Sequence, residues 1–89
     1  MLYSVSVTAD ARREIIALPG HVRAQLRTMV SELHLEPRPE RAKELRNRPD
    51  FYRVWLATKW RVVYAVDDEH QHVVIVRVRL KDQIDYDSI

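Results

Sequence analysis

Alternation of apolar and polar side chains in three consecutive segments constrains this chain more than any other feature. The segments are Phe51-Tyr52-Arg53-Val54-Trp55-Leu56, Trp60-Arg61-Val62-Val63-Tyr64-Ala65-Val66 and Val73-Val74-Ile75-Val76-Arg77-Val78-Arg79-Leu80. Successive side chains of a strand point to opposite faces, so each segment divides into two sets. One set reads Tyr52, Val54, Leu56, Trp60, Val62, Tyr64, Val66, Val74, Val76, Val78 and Leu80, and is apolar almost throughout. The other holds Arg53, Trp55, Arg61, Val63, Arg77, Arg79 and, just beyond, Lys81. A sheet with one apolar face and one face of arginines around a tryptophan suits a polyanion, and RNA is the expected one.

The linkers between these segments set their pairing. Ala57-Thr58-Lys59 is short enough for a hairpin, and Asp67 to Gln71 supplies a polar turn, so the three strands are expected to form an antiparallel meander. Upstream, residues 3 to 8 alternate as a half-buried strand. Thr8 then stands at a helix N-cap with Asp10 in the first turn, Ala11, Ile15 and Leu18 recur at helical spacing, and Pro19-Gly20 ends the helix. A second helix is expected from Val22 to Leu33, with Val22, Leu26, Met29, Val30 and Leu33 on one stripe. Glu36-Pro37-Arg38-Pro39 disfavours helix and opens a connecting loop, with one helical turn expected over Ala42 to Leu45. The expected architecture is α+β: an N-terminal strand, a two-helix hairpin, then the meander, with both helices across the apolar sheet face and the cationic face open. Tyr52, Trp60 and Tyr64 belong to the core in this arrangement.

Eighty-nine residues suit one small domain over 1–89. The chain has no cysteine, which excludes a disulfide framework, a thiolate metal site and a cysteine nucleophile. The N-terminus lacks the basic start and apolar run of a secretory signal, and no apolar run approaches membrane-spanning length, so a soluble, cytoplasmic protein without membrane contact is expected. Net charge is only +2, but between Arg38 and Arg61 eight basic residues face three acids, a local +5. Such a run is often only solvated surface; here it continues into the cationic sheet face. Arg46, Arg48 and Lys59 in this run join Trp55, Arg77 and Arg79 as candidate RNA contacts. The histidines, His21, His34, His70 and His72, have no partners at metal-ligand spacing and are read as surface residues, so neither metal nor cofactor is expected.

Two stretches carry a family resemblance: Leu45-Arg46-Asn47-Arg48-Pro49-Asp50-Phe51-Tyr52-Arg53 and Trp60-Arg61-Val62-Val63-Tyr64-Ala65-Val66-Asp67-Asp68. With the element order they resemble the RelE/ParE superfamily of small bacterial toxins over nearly the whole chain. The resemblance implies a toxin of a type II toxin–antitoxin system paired with a cognate antitoxin. Its RelE branch implies a ribosome-dependent endoribonuclease that cuts mRNA; its ParE branch implies a DNA gyrase inhibitor; a degenerate toxin that only binds its antitoxin is the third possibility. Carried across by position, Arg53 matches the first of two second-strand lysines of RelE-type toxins, and Arg61 matches the third-strand arginine. Lys81 stands for the arginine after the last strand and Tyr86 for the late tyrosine. Trp55 falls where the second lysine would be, and Arg79-Leu80-Lys81 replaces a Gly-Lys/His-Arg type of ending, so the identity of the proton-transfer groups stays open.

The chemistry so implied is attack of a ribose 2′-oxygen on its own phosphorus with departure of the 5′-oxygen. Arg61, in mid-strand, is expected to stabilise the charge on the phosphate, with Arg53 and Arg77 on flanking phosphates. Tyr86 is either a base or a stacking group. Trp55 reads equally as a platform for an unpaired base, worth roughly 1 to 3 kcal/mol, or as an apolar contact beneath the antitoxin. Arg77 and Arg79 also suit a second role, keeping an exposed strand from pairing with other chains.

Overall fold

The computed structural model describes residues 2–84. Thr8 opens the first helix, α1 (Ala9–Ile16), and its hydroxyl accepts the Ala11 N–H at 3.1 Å. That bond satisfies a backbone donor that a helix start leaves open, and Asp10 in the first turn complements the helix dipole. The second helix, α2 (Gly20–Leu35), is longer than the Val22–Leu33 stripe predicts, because the Pro19 carbonyl accepts the Val22 and Arg23 N–H groups and starts it early. Its buried stripe is Val22, Leu26, Met29 and Leu33.

The sheet has five strands: β1 (Ser4–Val7), β2 (Lys43–Leu45), β3 (Arg48–Leu56), β4 (Trp60–Asp67) and β5 (His72–Leu80). Their spatial order is β1-β5-β4-β3-β2, with β1 parallel to β5 and every other pair antiparallel. The meander is therefore present as expected, with β1 added on one edge and β2 on the other. The helical turn expected over Ala42 to Leu45 is not formed; Lys43 and Glu44 pair instead with Arg53 and Tyr52. Asn47, at φ 64°, turns the chain back in a short hairpin, and the β3 edge then satisfies backbone groups that an isolated helical turn would leave to solvent.

One part of the face assignment also changes. Val73 and Ile75, not Val74 and Val76, face the helices on the first half of β5; the former pair is fully buried and the latter half-buried outside the core. The cause is a bulge. Tyr64 pairs with Ile75 and Val63 with Arg77, so β5 carries Val76 as an extra residue at that point. An extra residue reverses the phase of a strand. Val78 thus returns to the core while Arg77 and Arg79 keep the face shared by Val63 and Arg61.

The core lies between the helices and this sheet. Ala11, Leu18 and the α2 stripe meet Val54, Leu56, Val62, Tyr64, Val66, Val73, Ile75 and Val78. Burying a side chain of this kind stabilises by about 1.5–3 kcal/mol. Tyr64 is fully buried, and its hydroxyl donates to the Pro37 carbonyl at 2.8 Å, which ties the connecting loop to the sheet. Burial pushes the Tyr64 hydroxyl well above its ordinary pKa.

Two polar devices close the ends of the sheet. At one end Arg38 forks onto Asp68 with two bonds of 2.9 Å, donates from Nε to the Tyr52 hydroxyl at 2.7 Å, and lies over the Tyr52 ring. The Tyr3 hydroxyl donates to the same carboxylate at 2.7 Å. The Arg38 bonds, then the Tyr3 bond, hold Asp68 below the usual carboxylate range. At the other end β1 pairs only as far as Ile75, and Glu14 of α1 covers the edge beyond by accepting the Val78 N–H at 2.8 Å. Among the described residues no helix is long and apolar enough to cross a membrane.

Candidate nucleic-acid interface

Strand register builds the candidate site. One row across the face turned away from the helices runs Lys43, Arg53, Val63, Arg77, and the next runs Trp55, Arg61, Arg79. Residues directly opposite on neighbouring strands have Cβ atoms only about 4.5–5.5 Å apart. Arg53, Trp55, Arg61, Arg77 and Arg79 are therefore neighbours on one surface, and the fully buried Val63 is its floor. Lys81, at the start of the short 3-10 turn Lys81–Gln83, follows β5 directly, and its N–H donates to the Lys59 carbonyl at 3.0 Å. This bond joins the β3–β4 hairpin tip to the turn after β5.

Trp55 is the centre of the arrangement. It is 47 % exposed, with the Arg61 guanidinium over its ring at 4.3 Å and the Lys81 ammonium at 5.6 Å. Both lie within cation–π range, so the indole gathers two cations rather than standing as a bare apolar platform. On one side a cleft of about 560 Å³ is lined by Trp55, Thr58, Lys59, Leu80, Lys81, Asp82 and Gln83. On the other a smaller one of about 140 Å³ is lined by Arg41, Lys43, Arg53, Val54, Trp55 and Arg61.

The predicted residues do not all meet there. Arg46 lies in the β2–β3 turn and Arg48 begins β3. Arg48 is seven residues before Trp55, roughly 23 Å along an extended strand. They line a separate hollow with Glu44 and Asn47. Tyr86 lies outside the described residues. Arg77 and Arg79 are on the expected face but engaged, Arg77 with Asp10 at 3.5 Å and Arg79 through Nε with Glu14. Lys43, Arg53 and Lys59 have no carboxylate ion-paired with them among the described residues.

Sequence reasoning missed Lys43, because its segment reads as a helical turn and so gives no face. Arg41 borders the smaller cleft, but its guanidinium is held by both oxygens of Glu32. The sequence places Asp10 in the first turn of a helix and singles out no role for Glu14. No three His, Cys, Asp or Glu side chains gather as a metal site among the described residues.

A family profile described as the ParE toxin of type II toxin–antitoxin system, parDE, matches residues 5–84. The chain belongs to the RelE/ParE superfamily. It is a type II toxin, and its structural relatives place it with the RelE-like members. The toxin of the intact E. coli RelBE toxin–antitoxin complex is 34% identical, over 88% of this chain and 95% of that one, with a TM-score of 0.79. A chain of the toxin–antitoxin complex RelBE2 from Mycobacterium tuberculosis is 32% identical, over 91% and 100%, with a TM-score of 0.76. A double arginine-to-alanine mutant of E. coli RelE in the free state gives 32% identity, over 93% and 88%, and a TM-score of 0.81. No curated protein sequence shows significant similarity. In this RelE/ParE toxin the Trp55 ring joins Arg61 and Lys81 into one cationic group.

Proposed function

We propose that this toxin is a RelE-like endoribonuclease that cuts mRNA on the ribosome and so arrests translation in the cytoplasm. The observation that carries the reading is the register of two cationic rows on one sheet face, with Arg61 at the middle of one and Arg53 and Arg77 in the other. In the reaction the ribose O2′ forms a bond to the adjacent phosphorus while the bond from phosphorus to O5′ breaks. The products are a 2′,3′-cyclic phosphate and a free 5′-hydroxyl. Arg61 meets the negative charge that grows on the phosphate oxygens, and Arg53 and Lys81 lie on either side of Trp55 to hold the chain of phosphates. A guanidinium offers a planar fork and an ammonium a point charge, so Arg61 fixes orientation and Lys81 chiefly contributes potential. Trp55 presents ring surface for an unpaired base beside those cations. The proton leaving O2′ and the proton reaching O5′ need a base and an acid. Tyr86 is the candidate base, with stacking on a nucleobase as its alternative role.

The partner is a cognate antitoxin. Two of the similar structures are toxin–antitoxin complexes, and an acidic segment laid on this face would neutralise its charge. Inhibition of DNA gyrase is the second reading, favoured by the ParE family profile and by Trp55 in place of a lysine. A translating extract and a purified gyrase supercoiling assay separate the two. The nuclease reading expects truncated mRNA with cyclic phosphate ends, dependent on ribosomes, and unimpaired supercoiling. Inhibited supercoiling with intact mRNA would replace it, and normal growth on induction without antitoxin would show a toxin that only binds its partner.

A further inference from the structure

Arg61 and Arg79 stand directly opposite each other on β4 and β5, an arrangement that places two like charges at the closest cross-strand spacing. Each guanidinium is drawn to a different side. Arg61 lies over Trp55 on β3, and Arg79 gives its Nε–H to Glu14 Oε2 on α1. Glu14 is itself fixed, because its other oxygen accepts the Val78 N–H at 2.8 Å and its side chain is only 15% exposed. Using Nε for this bond leaves the terminal nitrogens of Arg79 for other acceptors, and one of them lies 3.4 Å from the Gln83 carbonyl at the rim of the larger cleft. A carboxylate that satisfies a strand edge and orients an arginine at once is more than an edge cover.

We infer that Glu14 is a positioning residue of the site: it holds Arg79 apart from Arg61 so that the two guanidinium groups bracket a single phosphodiester. The inference rests on the nuclease reading above. A phosphate between them would accept from both guanidinium groups, with Arg79 held in place by Glu14. Glu14 acts only through Arg79 and touches no substrate.

A double-mutant cycle tests this, with single-turnover cleavage of ribosome-bound mRNA as the readout and urea unfolding as the control for folding. Glu14→Gln keeps an oxygen for the Val78 N–H but removes the charge that holds Arg79. It is expected to slow cleavage about ten-fold in the wild-type background and to add less than two-fold in the Arg79→Ala background. Equal losses in both backgrounds, or no loss in either, would overturn the inference while leaving cleavage by the wild type intact. A folded wild type that cuts no mRNA would instead remove the nuclease reading on which it rests. If Glu14→Gln lowers the yield of folded protein, Glu14→Asp, which keeps a carboxylate but shortens its reach toward Arg79, goes through the same cycle with the same expected and contradicting outcomes.

Discussion

Trp55 takes a position where the family resemblance leads one to look for a lysine, yet the charge at that point of the face is not lost. The indole draws Arg61 and Lys81 onto itself, at 4.3 and 5.6 Å, and so replaces one cation by an anchor for two. A cation–π contact at an exposed site is worth about 0.5–1 kcal/mol, less than the roughly 1–3 kcal/mol of base stacking. Trp55→Ala should therefore weaken binding of an unstructured RNA oligonucleotide by about 5- to 150-fold, while loss of its two cation–π contacts lowers stability in urea unfolding by about 1–2 kcal/mol. Trp55→Phe should recover part of the affinity, and equal affinity for all three proteins in fluorescence anisotropy would reject the stacking role. Arg61 was legible in the sequence because its neighbours on both sides alternate cleanly. Lys43 was not: three residues between a proline-rich loop and a turn carry no periodicity of their own, and only pairing with Arg53 gives them a face. Glu14 was hidden for a different reason, since its two acceptor contacts reach residues more than sixty positions away.

Strand β5 shows how an element can be legible in type and wrong in phase. Its run of valines and isoleucine marks a buried strand whichever alternate set faces inward, and the bulge at Val76 lets Val73, Ile75 and Val78 share the core. Substitution checks the assignment. Ile75→Ala should destabilise by about 2–5 kcal/mol in urea unfolding, whereas Val76→Ala should cost less than about 1 kcal/mol; the reverse order would restore the uninterrupted phase. The connecting loop is tied to the sheet by one buried hydroxyl, and Tyr64→Phe should cost about 1 kcal/mol. The Arg38–Asp68–Tyr3 cluster adds a pH dependence to the same end of the molecule. Because Asp68 titrates lower when folded than its unfolded value of about 3.9, its contribution is complete above that pH and is lost as pH falls through the lowered folded value. The urea midpoints of wild type and Asp68→Asn should therefore differ at neutral pH and converge below about pH 4. A gap unchanged down to pH 2 would contradict the ion pair.

At the scale of the whole molecule, one layer makes the core and the opposite sheet face concentrates charge. The helices and the meander were readable from periodicity and turns. The parallel pairing of β1 with β5 and the edge strand β2 came only from long-range contact, which no local pattern encodes. A face of this kind should bind polyanions with strong salt dependence. For single-stranded RNA the slope of log K against log salt is about −0.7 for each phosphate neutralised, and Arg53→Ala should make it shallower by about that amount. The most direct test of the account is to map mRNA ends in a translating extract supplied with wild-type toxin or with Arg61→Ala. The account predicts new ribosome-dependent ends inside the coding sequence with the wild type and none with a folded Arg61→Ala protein. The same ends at the same rate with both proteins would contradict it.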